Sequence, residues 1–158
     1  MYLLDTNVIS ELRKAKTVKI NKNVEAWASH VPASALFLSV ITILELELGI
    51  RLLERRDTSQ AAMLRSWFDD HVLTTFSDRI LDINSAIALR CAALHVPDPQ
   101  SDRDALIAAT ALEYGMIVVT RNVSDFELTG VEIIDPWVDN TEKGSTNSSD
   151  FISSNGKE

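Results

Sequence analysis

The sequence has 158 residues, of which 46% are hydrophobic, and this length and composition predict one globular domain with a sizeable core. Its formal net charge of −8, from 23 acidic and 15 basic residues, disfavours broad, nonspecific nucleic-acid binding, which depends on basic side chains. The same charge does not exclude a nuclease, because divalent ions held by some of the acids would make an active centre less negative towards a phosphodiester.

Short apolar runs alternate with amphipathic segments along most of the chain. In chain order the pattern predicts a strand at 2–4, helices at 8–14 and 24–31, a strand at 36–40, helices at 41–56 and 59–76, a strand at 80–83, helices at 84–96 and 101–114, and strands at 116–120 and 132–135. Strands that alternate with helices indicate an α/β fold with a parallel, helix-covered sheet. Two successive long helices between 41 and 76 interrupt this alternation, so we expect a helical arm or cap there.

The composition changes near the C-terminus. Thr, Ser, Asn, Lys and Gly dominate from Asn140 onward, and only Phe151 and Ile152 could be buried. We therefore expect a folded domain over residues 1–138 and a disordered tail over residues 139–158. No apolar run reaches the ~18 residues of a membrane span, and the first residues do not resemble a signal peptide, so we expect a soluble, cytoplasmic protein.

Four acidic residues lie at or near points where a predicted strand is followed by a helix. They are Asp5, Glu45, Asp104 and Asp125. The carboxyl ends of parallel strands share one edge of a sheet, so residues far apart in sequence converge there. Converging carboxylates repel one another unless a cation joins them, and the pattern therefore predicts a metal site.

Each of these acids also has a purely structural explanation. Asp5 can cap the helix that follows it, and Asp125 can belong to a turn or cap a short helix. Glu45 and Asp104 each follow a Thr or Ser by three residues, which is the spacing of a capping box. A helical wheel at ~100° per residue nevertheless places Glu45 away from every other charge on its helix, where an ionised carboxylate needs a partner. The same wheel places Asp104 on a face of small residues and Asp102 on the solvated side, so we prefer Asp104 as the ligand.

The predicted helix at 41–56 carries two apolar stripes. One contains Leu44, Leu48 and Leu52, and the other contains Ile43, Leu46, Ile50 and Leu53. A surface helix needs only one stripe to face its own core, so we expect the second to contact another chain or the helical arm. We interpret the pattern as an indication of a homodimer or a bound partner.

Other chemistries find little support in the sequence. Cys91 is the only cysteine, which excludes intramolecular disulfides and multi-cysteine zinc sites. The histidines, His30, His71 and His95, lie in separate helical regions without metal spacing, and none of the five glycines forms a phosphate-binding loop. Arg121 is either a phosphate contact or a solvated side chain.

Taken together, the motifs resemble the PIN-domain family, specifically the toxin ribonucleases of VapBC-type toxin–antitoxin modules and their FitB-like relatives. The matching segments are YLLDTNVISEL at 2–12, LSVITILELELG at 38–49, DALIAATA at 104–111 and VTRNVSDF at 119–126. The resemblance covers residues 1–138 and leaves the C-terminal tail outside it.

The resemblance implies a PIN-like fold with a five-stranded parallel sheet, helices on both faces, a homodimer, and metal-dependent cleavage of single-stranded RNA. Asp5, Glu45 and Asp104 match the family's acidic positions, and Asp125 is the fourth acid because Asn122 stands where many relatives carry Asp. We predict these four acids as the catalytic set. Asp5 and Asp104 are the expected metal ligands, with Glu45 and Asp125 binding directly or through water to one ion or two. Supporting roles are predicted for Thr120, Asn122 and Asn7.

Hard oxygen ligands in this number suit Mg²⁺, with Mn²⁺ as a substitute, and such an ion could activate a water for in-line attack on a phosphodiester. We expect Glu45, or Asp104 through water, to help take the proton. By the same resemblance, the partners are an RNA substrate and a cognate antitoxin with a basic segment. The alternative hypothesis is a non-catalytic PIN-like module that binds RNA or protein, in which the acids serve as helix caps.

Overall fold

A computed structural model describes residues 1–139 of the chain. Its strands are β1 (Tyr2–Leu4), β2 (Leu36–Ser39), β3 (Ile80–Leu81), β4 (Ile117–Val119) and β5 (Ile133–Ile134). The α-helices within these residues are α1 (Thr6–Leu12), α2 (Lys22–Ser29), α3 (Val40–Glu54), α4 (Thr58–Trp67), α5 (Leu73–Thr75), α6 (Ser85–Leu94) and α7 (Asp102–Tyr114). Strands and helices follow one another in the predicted order, including the successive helices between β2 and β3 that interrupt the alternation.

All five strands form one parallel sheet in the order β3-β2-β1-β4-β5. Leu3 of the central strand β1 is paired with Phe37 of β2 on one side and with Val118 of β4 on the other. The predicted five-stranded parallel sheet is therefore confirmed. Because the chain leaves β1 towards β2 and later adds β4 on the opposite side, the topological switch point lies between β1 and β4, where a crevice opens at the strand ends.

Apolar side chains of the central strands face two core clusters. Leu4 and Val119 pack in a cluster with residues of α1 and α3, whereas Leu3 and Val118 pack in another with residues of α7. Successive residues of a strand point to opposite faces, so β1 and β4 are buried on both sides. This is why both strands are continuous apolar runs in the sequence. Helices thus cover both faces of the sheet, as expected.

The structure shifts most predicted helix boundaries by one or two residues, and two of the differences have a physical cause. The first helix begins at Thr6 instead of residue 8, because the Asp5 side chain accepts a hydrogen bond from the Thr6 amide at the helix start. The helix predicted at 59–76 is not continuous, since a π-helical turn at Phe68–Val72 separates α4 from α5. The wider turn begins a segment in which three side chains, spaced four residues apart, are all buried in the core: Phe68, Val72 and Phe76.

The predicted helical arm is formed by α3 and α4, which pack against each other. Asp57 caps α4 by accepting a hydrogen bond from the Gln60 amide at 3.0 Å, and Glu47 of α3 forms an ion pair with Arg65 of α4. One apolar stripe of α3 is buried, including Leu46, Ile50 and Leu53. The other stripe stays exposed: Leu44 by 47%, Leu48 by 38% and Leu52 by 56%.

Two further expectations concern the chain as a whole. Within residues 1–139, every helix is too short or too polar to cross a lipid bilayer. Beyond Asp139, the tail predicted to be disordered lies outside the described residues.

Candidate active site

The four predicted acids line one open pocket of about 630 Å³ at the carboxyl edge of the sheet. Asp5 follows the central strand β1 directly, and Glu45 lies early in α3, the helix that follows β2. Asp104 belongs to the first turn of α7, and Asp125 to a 3₁₀ turn after β4. The described lining residues are Asp5, Thr6, Asn7, Ser10, Glu45, Ser101, Asp102, Arg103, Asp104, Asn122 and Asp125.

Asp5 is buried, with only 5% of its surface exposed, and is held by neutral donors. Its Oδ1 accepts a hydrogen bond from the Thr6 amide at 2.8 Å, and its Oδ2 accepts one from the Thr120 hydroxyl at 2.8 Å. The Asn7 amide group adds a longer bond of 3.3 Å to Oδ2. Burial raises the pKa of Asp5, the bonds from Thr120 and Thr6 oppose that rise, and nearby Asp125 adds to it.

Glu45 reaches away from its own helix start. The Thr6 hydroxyl donates a hydrogen bond to Glu45 Oε1 at 2.8 Å, and Arg103 Nη1 lies 3.7 Å from Oε2. The cap of α3 is Ser39, whose hydroxyl accepts from the Ile41 amide at 3.0 Å. The capping-box explanation of Glu45 is therefore wrong.

Asp104 is the acid whose ionisation the pocket perturbs most clearly. Its pKa is raised to about 6, mainly by burial and further by the carboxylates of Asp5, Asp125 and Glu45, in that order. A bond with Ser101 opposes the rise, but the Ser101 side chain does not cap the first amides of α7. Asp102, by contrast, has a side chain that is 93% exposed, as the wheel predicted.

The loop after β4 brings the remaining polar residues to the pocket. The buried Thr120 hydroxyl, which donates a hydrogen bond to Asp5, also accepts one from the backbone N–H of Asn122 at 3.0 Å. The backbone carbonyl of Asn122 in turn accepts a hydrogen bond from the backbone N–H of Asp125 at 3.1 Å. Phe126, which is fully buried, anchors the loop in the core and so keeps the exposed Asp125 beside the pocket.

The donor chemistry of the pocket fits a hard divalent cation. Among residues 1–139, no three Asp, Glu, His or Cys side chains are already gathered into a metal-binding group. Mg²⁺ is usually held by one or two carboxylates and keeps several waters, so its binding does not need a larger preformed group. Oxygen donors from Asp5 and Asp104 fit Mg²⁺ or Mn²⁺ on these terms.

Two residues that the sequence analysis did not single out contribute to the site. Thr6 orients Glu45, and Arg103 brings a positive charge into the pocket. Their only sequence signal is adjacency, because Thr6 follows Asp5 and Arg103 precedes Asp104. Arg121, considered as a phosphate contact, instead lies over the Trp137 ring with its guanidinium carbon 5.3 Å from the ring centroid.

Comparison with known proteins identifies the family. The PIN domain family model matches residues 2–130. This chain belongs to the PIN domain family. Among curated relatives, the VapC ribonuclease Y4jK of Sinorhizobium fredii is 34% identical over 142 residues, covering 87% of this chain and 98% of the relative.

Solved structures of PIN domain relatives agree with the fold. FitAcB from Neisseria gonorrhoeae superposes with a TM-score of 0.77 at 32% identity, covering 87% of this chain and 99% of that chain. A toxin–antitoxin complex from Klebsiella pneumoniae matches with a TM-score of 0.59 at 26% identity, covering 86% and 98%. The PIN-like fold expected from the motifs is thus confirmed.

Proposed function

We propose that this PIN domain protein is a metal-dependent endoribonuclease that cleaves single-stranded RNA and acts in the cytoplasm as the toxin of a type II toxin–antitoxin pair. The observation that carries the proposal is the convergence of Asp5, Glu45, Asp104 and Asp125 on one pocket. The name of the Sinorhizobium relative, a VapC ribonuclease that this chain matches over nearly its full length, supports the reaction class.

The residues of the pocket divide into ligands and groups that position them. Asp5 and Asp104 would hold Mg²⁺ directly, with Glu45 and Asp125 binding directly or through water. When bound, the ion would orient and activate a water for in-line attack on a phosphodiester and stabilise charge on the leaving oxygen. Glu45, or Asp104 through water, would accept the proton of that water. Supporting roles fall to Thr120, Asn7 and Asn122.

A cleavage assay with purified protein tests this proposal. Wild-type protein should cut single-stranded RNA in Mg²⁺ or Mn²⁺ and lose activity in excess chelator. Asp5→Asn and Asp104→Asn should each abolish cleavage while leaving the circular dichroism spectrum unchanged, and Asp70→Asn, an exposed acid on the π-helical turn, should remain active. Full activity in either pocket variant, or in chelator, would contradict the proposal.

One observation favours the alternative of a non-catalytic binding module. Asp5 does cap α1, as a purely structural acid would. Titration with Mn²⁺ separates the two functions, because helix caps need no cation. Absence of binding at millimolar Mn²⁺ would favour the binding module.

The charge of the protein suggests the chemistry of its protein partner. The chain is acidic overall, and five of the described lining residues of the pocket are acids. We propose a cognate antitoxin whose basic segment lies near these acids, in keeping with the matched toxin–antitoxin complex from Klebsiella. A small neighbouring gene upstream that encodes a DNA-binding protein would support this pairing, and inhibition of cleavage by its product would test it. A product that does not inhibit would contradict it.

A further inference from the structure

Arg103 is the one cationic side chain among the described residues that line the pocket, against five carboxylates. We propose that Arg103 binds a phosphodiester group of the RNA substrate, and that it leaves Glu45 to do so. The inference rests on the proposed ribonuclease function and assigns a substrate-binding role to a residue on the rim of that site.

The contact between Arg103 and Glu45 is loose. Arg103 Nη1 lies 3.7 Å from Glu45 Oε2, and the Arg103 side chain is 49% exposed. A charge-assisted hydrogen bond between such groups is normally ~2.7–2.9 Å long. Arg90, on α6, shows the contrast, because its Nε lies 2.5 Å from Glu113. Arg103 is therefore held near Glu45 mainly by charge and can turn towards another anion at little cost.

Glu45 is positioned so that losing Arg103 does not release it. The Thr6 hydroxyl bonds to Oε1 at 2.8 Å and would keep the carboxylate in place while Oε2 becomes free. That oxygen is the one a metal-bound or attacking water would need. Departure of Arg103 to a phosphate would thus remove a positive charge from beside this Glu45 oxygen when the substrate binds.

The charge balance of the pocket favours such a contact. A phosphodiester carries one negative charge and must approach a pocket lined by Asp5, Glu45, Asp102, Asp104 and Asp125. A guanidinium presents a planar fork of donors that matches phosphate oxygens, which an ammonium does not. Arg121 is absent from the described lining and is placed over Trp137, so it does not supply this contact.

RNA binding measured without cleavage tests the phosphate contact. A labelled single-stranded RNA is titrated by fluorescence anisotropy in Ca²⁺, which occupies oxygen sites with longer and looser bonds than Mg²⁺. Arg103→Gln should weaken binding about tenfold, and the slope of log K against log salt should become shallower by about 0.7, the value for one contact with a single strand. Arg103→Lys should restore the slope. Arg90→Gln, which removes the Arg90–Glu113 pair away from the described lining of the pocket, should change neither quantity.

Metal binding gives a second readout, because Arg103→Gln should raise the affinity for a cation while it lowers the affinity for RNA. Arg103 places a positive charge beside the acids that would hold the ion, so Arg103→Gln should bind Mn²⁺ about threefold to tenfold more tightly, measured by electron paramagnetic resonance. Arg90→Gln should bind Mn²⁺ as the wild type does. A residue that merely stabilised the fold would weaken both ligands or neither.

The outcomes separate this inference from the proposed function. If the wild type cleaves RNA and Arg103→Gln binds RNA with unchanged affinity and salt slope, the inference is wrong and the ribonuclease proposal stands. If the wild type does not cleave, but Arg103→Gln still weakens RNA binding with the predicted slope, the phosphate contact stands and the ribonuclease proposal fails. If the wild type neither binds nor cleaves RNA, both are overturned.

Discussion

The shortest side-chain hydrogen bonds to Asp5 and Glu45 come from hydroxyl groups, not from cations. Thr120 donates to Asp5, and Thr6 donates to Glu45, each at 2.8 Å. A neutral donor fixes the direction of a carboxylate without cancelling its charge, whereas a tightly paired Lys or Arg would compete with an incoming ion. The residues around Asp5 and Glu45 therefore preserve negative charge where the proposed metal would bind.

Asp104 should make the metal-free protein less stable at neutral pH than at acidic pH. Its pKa rises from 3.8 in the unfolded chain to about 6 in the folded protein, so the folded state binds this proton more tightly. The free energy by which the ionised carboxylate destabilises the fold is absent below about pH 4, grows between about pH 4 and 6, and is fully present above about pH 6. Asp104→Asn removes this destabilisation.

In chelator at pH 7.5, Asp104→Asn should therefore unfold at a higher temperature than the wild type. We expect a gain of about 1 kcal/mol, or roughly 3 °C, after allowance for partial solvent exposure. The gain should vanish near pH 4 in thermal denaturation followed by circular dichroism. The control is Asp102→Asn, which changes an exposed side chain two residues earlier in the first turn of α7 and should show no such gain. Equal melting temperatures for Asp104→Asn and wild type across this range would refute the prediction.

Thr120→Val should lower both the stability of the fold and the affinity of the proposed metal site. The change is close to isosteric at a fully buried position, and it leaves Asp5 Oδ2 without its 2.8 Å donor. We expect a loss of about 1–3 kcal/mol in the free energy of unfolding, measured by urea denaturation, and a lower affinity for Mn²⁺. Thr110→Val is the matched control, because the Thr110 hydroxyl is equally buried but bonds only to the Leu106 carbonyl of its own helix. Equal Mn²⁺ affinities in the two variants would argue against a role for Thr120 in the site.

At the scale of elements, α7 and α3 place their acids in different ways. Ala108 and Ala111 of α7 are buried in the cluster that contains Leu3 and Val118, which lets the helix lie close to the sheet and brings Asp104 to the strand ends. Ala105 and Ala109 instead pack in the cluster shared with α6. Helix α3 instead carries Glu45 between a buried stripe and an exposed one. The exposed stripe is the surface that a homodimer, expected from the sequence, would cover.

Leu52→Glu should therefore convert a dimer to a monomer. Leu52 belongs to the exposed stripe, and in a two-fold interface its replacement would bring like charges and desolvated carboxylates together. Light scattering coupled to size-exclusion chromatography should report half the mass of the wild type, with an unchanged circular dichroism spectrum. Met63→Glu, on α4 at 72% exposure, is the control and should leave the mass unchanged. A wild type that is monomeric at all concentrations would remove the basis for a dimer through this stripe.

The elements also show what could be predicted from sequence. The strands were predictable because β1, β2 and β4 are short apolar runs that end at or just before a polar residue: Asp5, Ser39 and Thr120. The π-helical turn was not, because Phe68, Val72 and Phe76 have the i, i+4 spacing of an uninterrupted α-helix. The partner of Glu45 was not predictable either, since Thr6 lies 39 residues away and local spacing suggested a capping box instead. The convergence of the acids followed from the parallel-sheet topology, whereas the contacts that orient them depend on the folded chain.

For the whole molecule, a bound cation should act on global stability. The pocket proposed to hold the metal is assembled from residues of α3 and α7, the residues that follow β1 and the loop after β4, so an ion that binds there would bind only the folded chain. Stabilisation then follows mass action and reaches about 2.7 kcal/mol when free Mg²⁺ exceeds Kd by about 100-fold.

Thermal denaturation with and without Mg²⁺ checks this linkage. The melting temperature of the wild type should rise with Mg²⁺ concentration at constant ionic strength, and that of Asp5→Asn should rise much less. Asp70→Asn should respond as the wild type does. An equal shift in all three proteins would mean that Mg²⁺ acts through general screening of the net charge of −8.

The bond between Thr120 and Asp5 joins residues 115 positions apart in the chain. The central strand β1 is made first during synthesis, yet its neighbour β4 and the hydroxyl that orients Asp5 arrive only after most of the domain has been translated. Loop closure over such a distance is entropically costly, so the pairing forms with the complete fold and not in a partial chain. A nascent chain on the ribosome therefore lacks an assembled pocket until translation has passed β4.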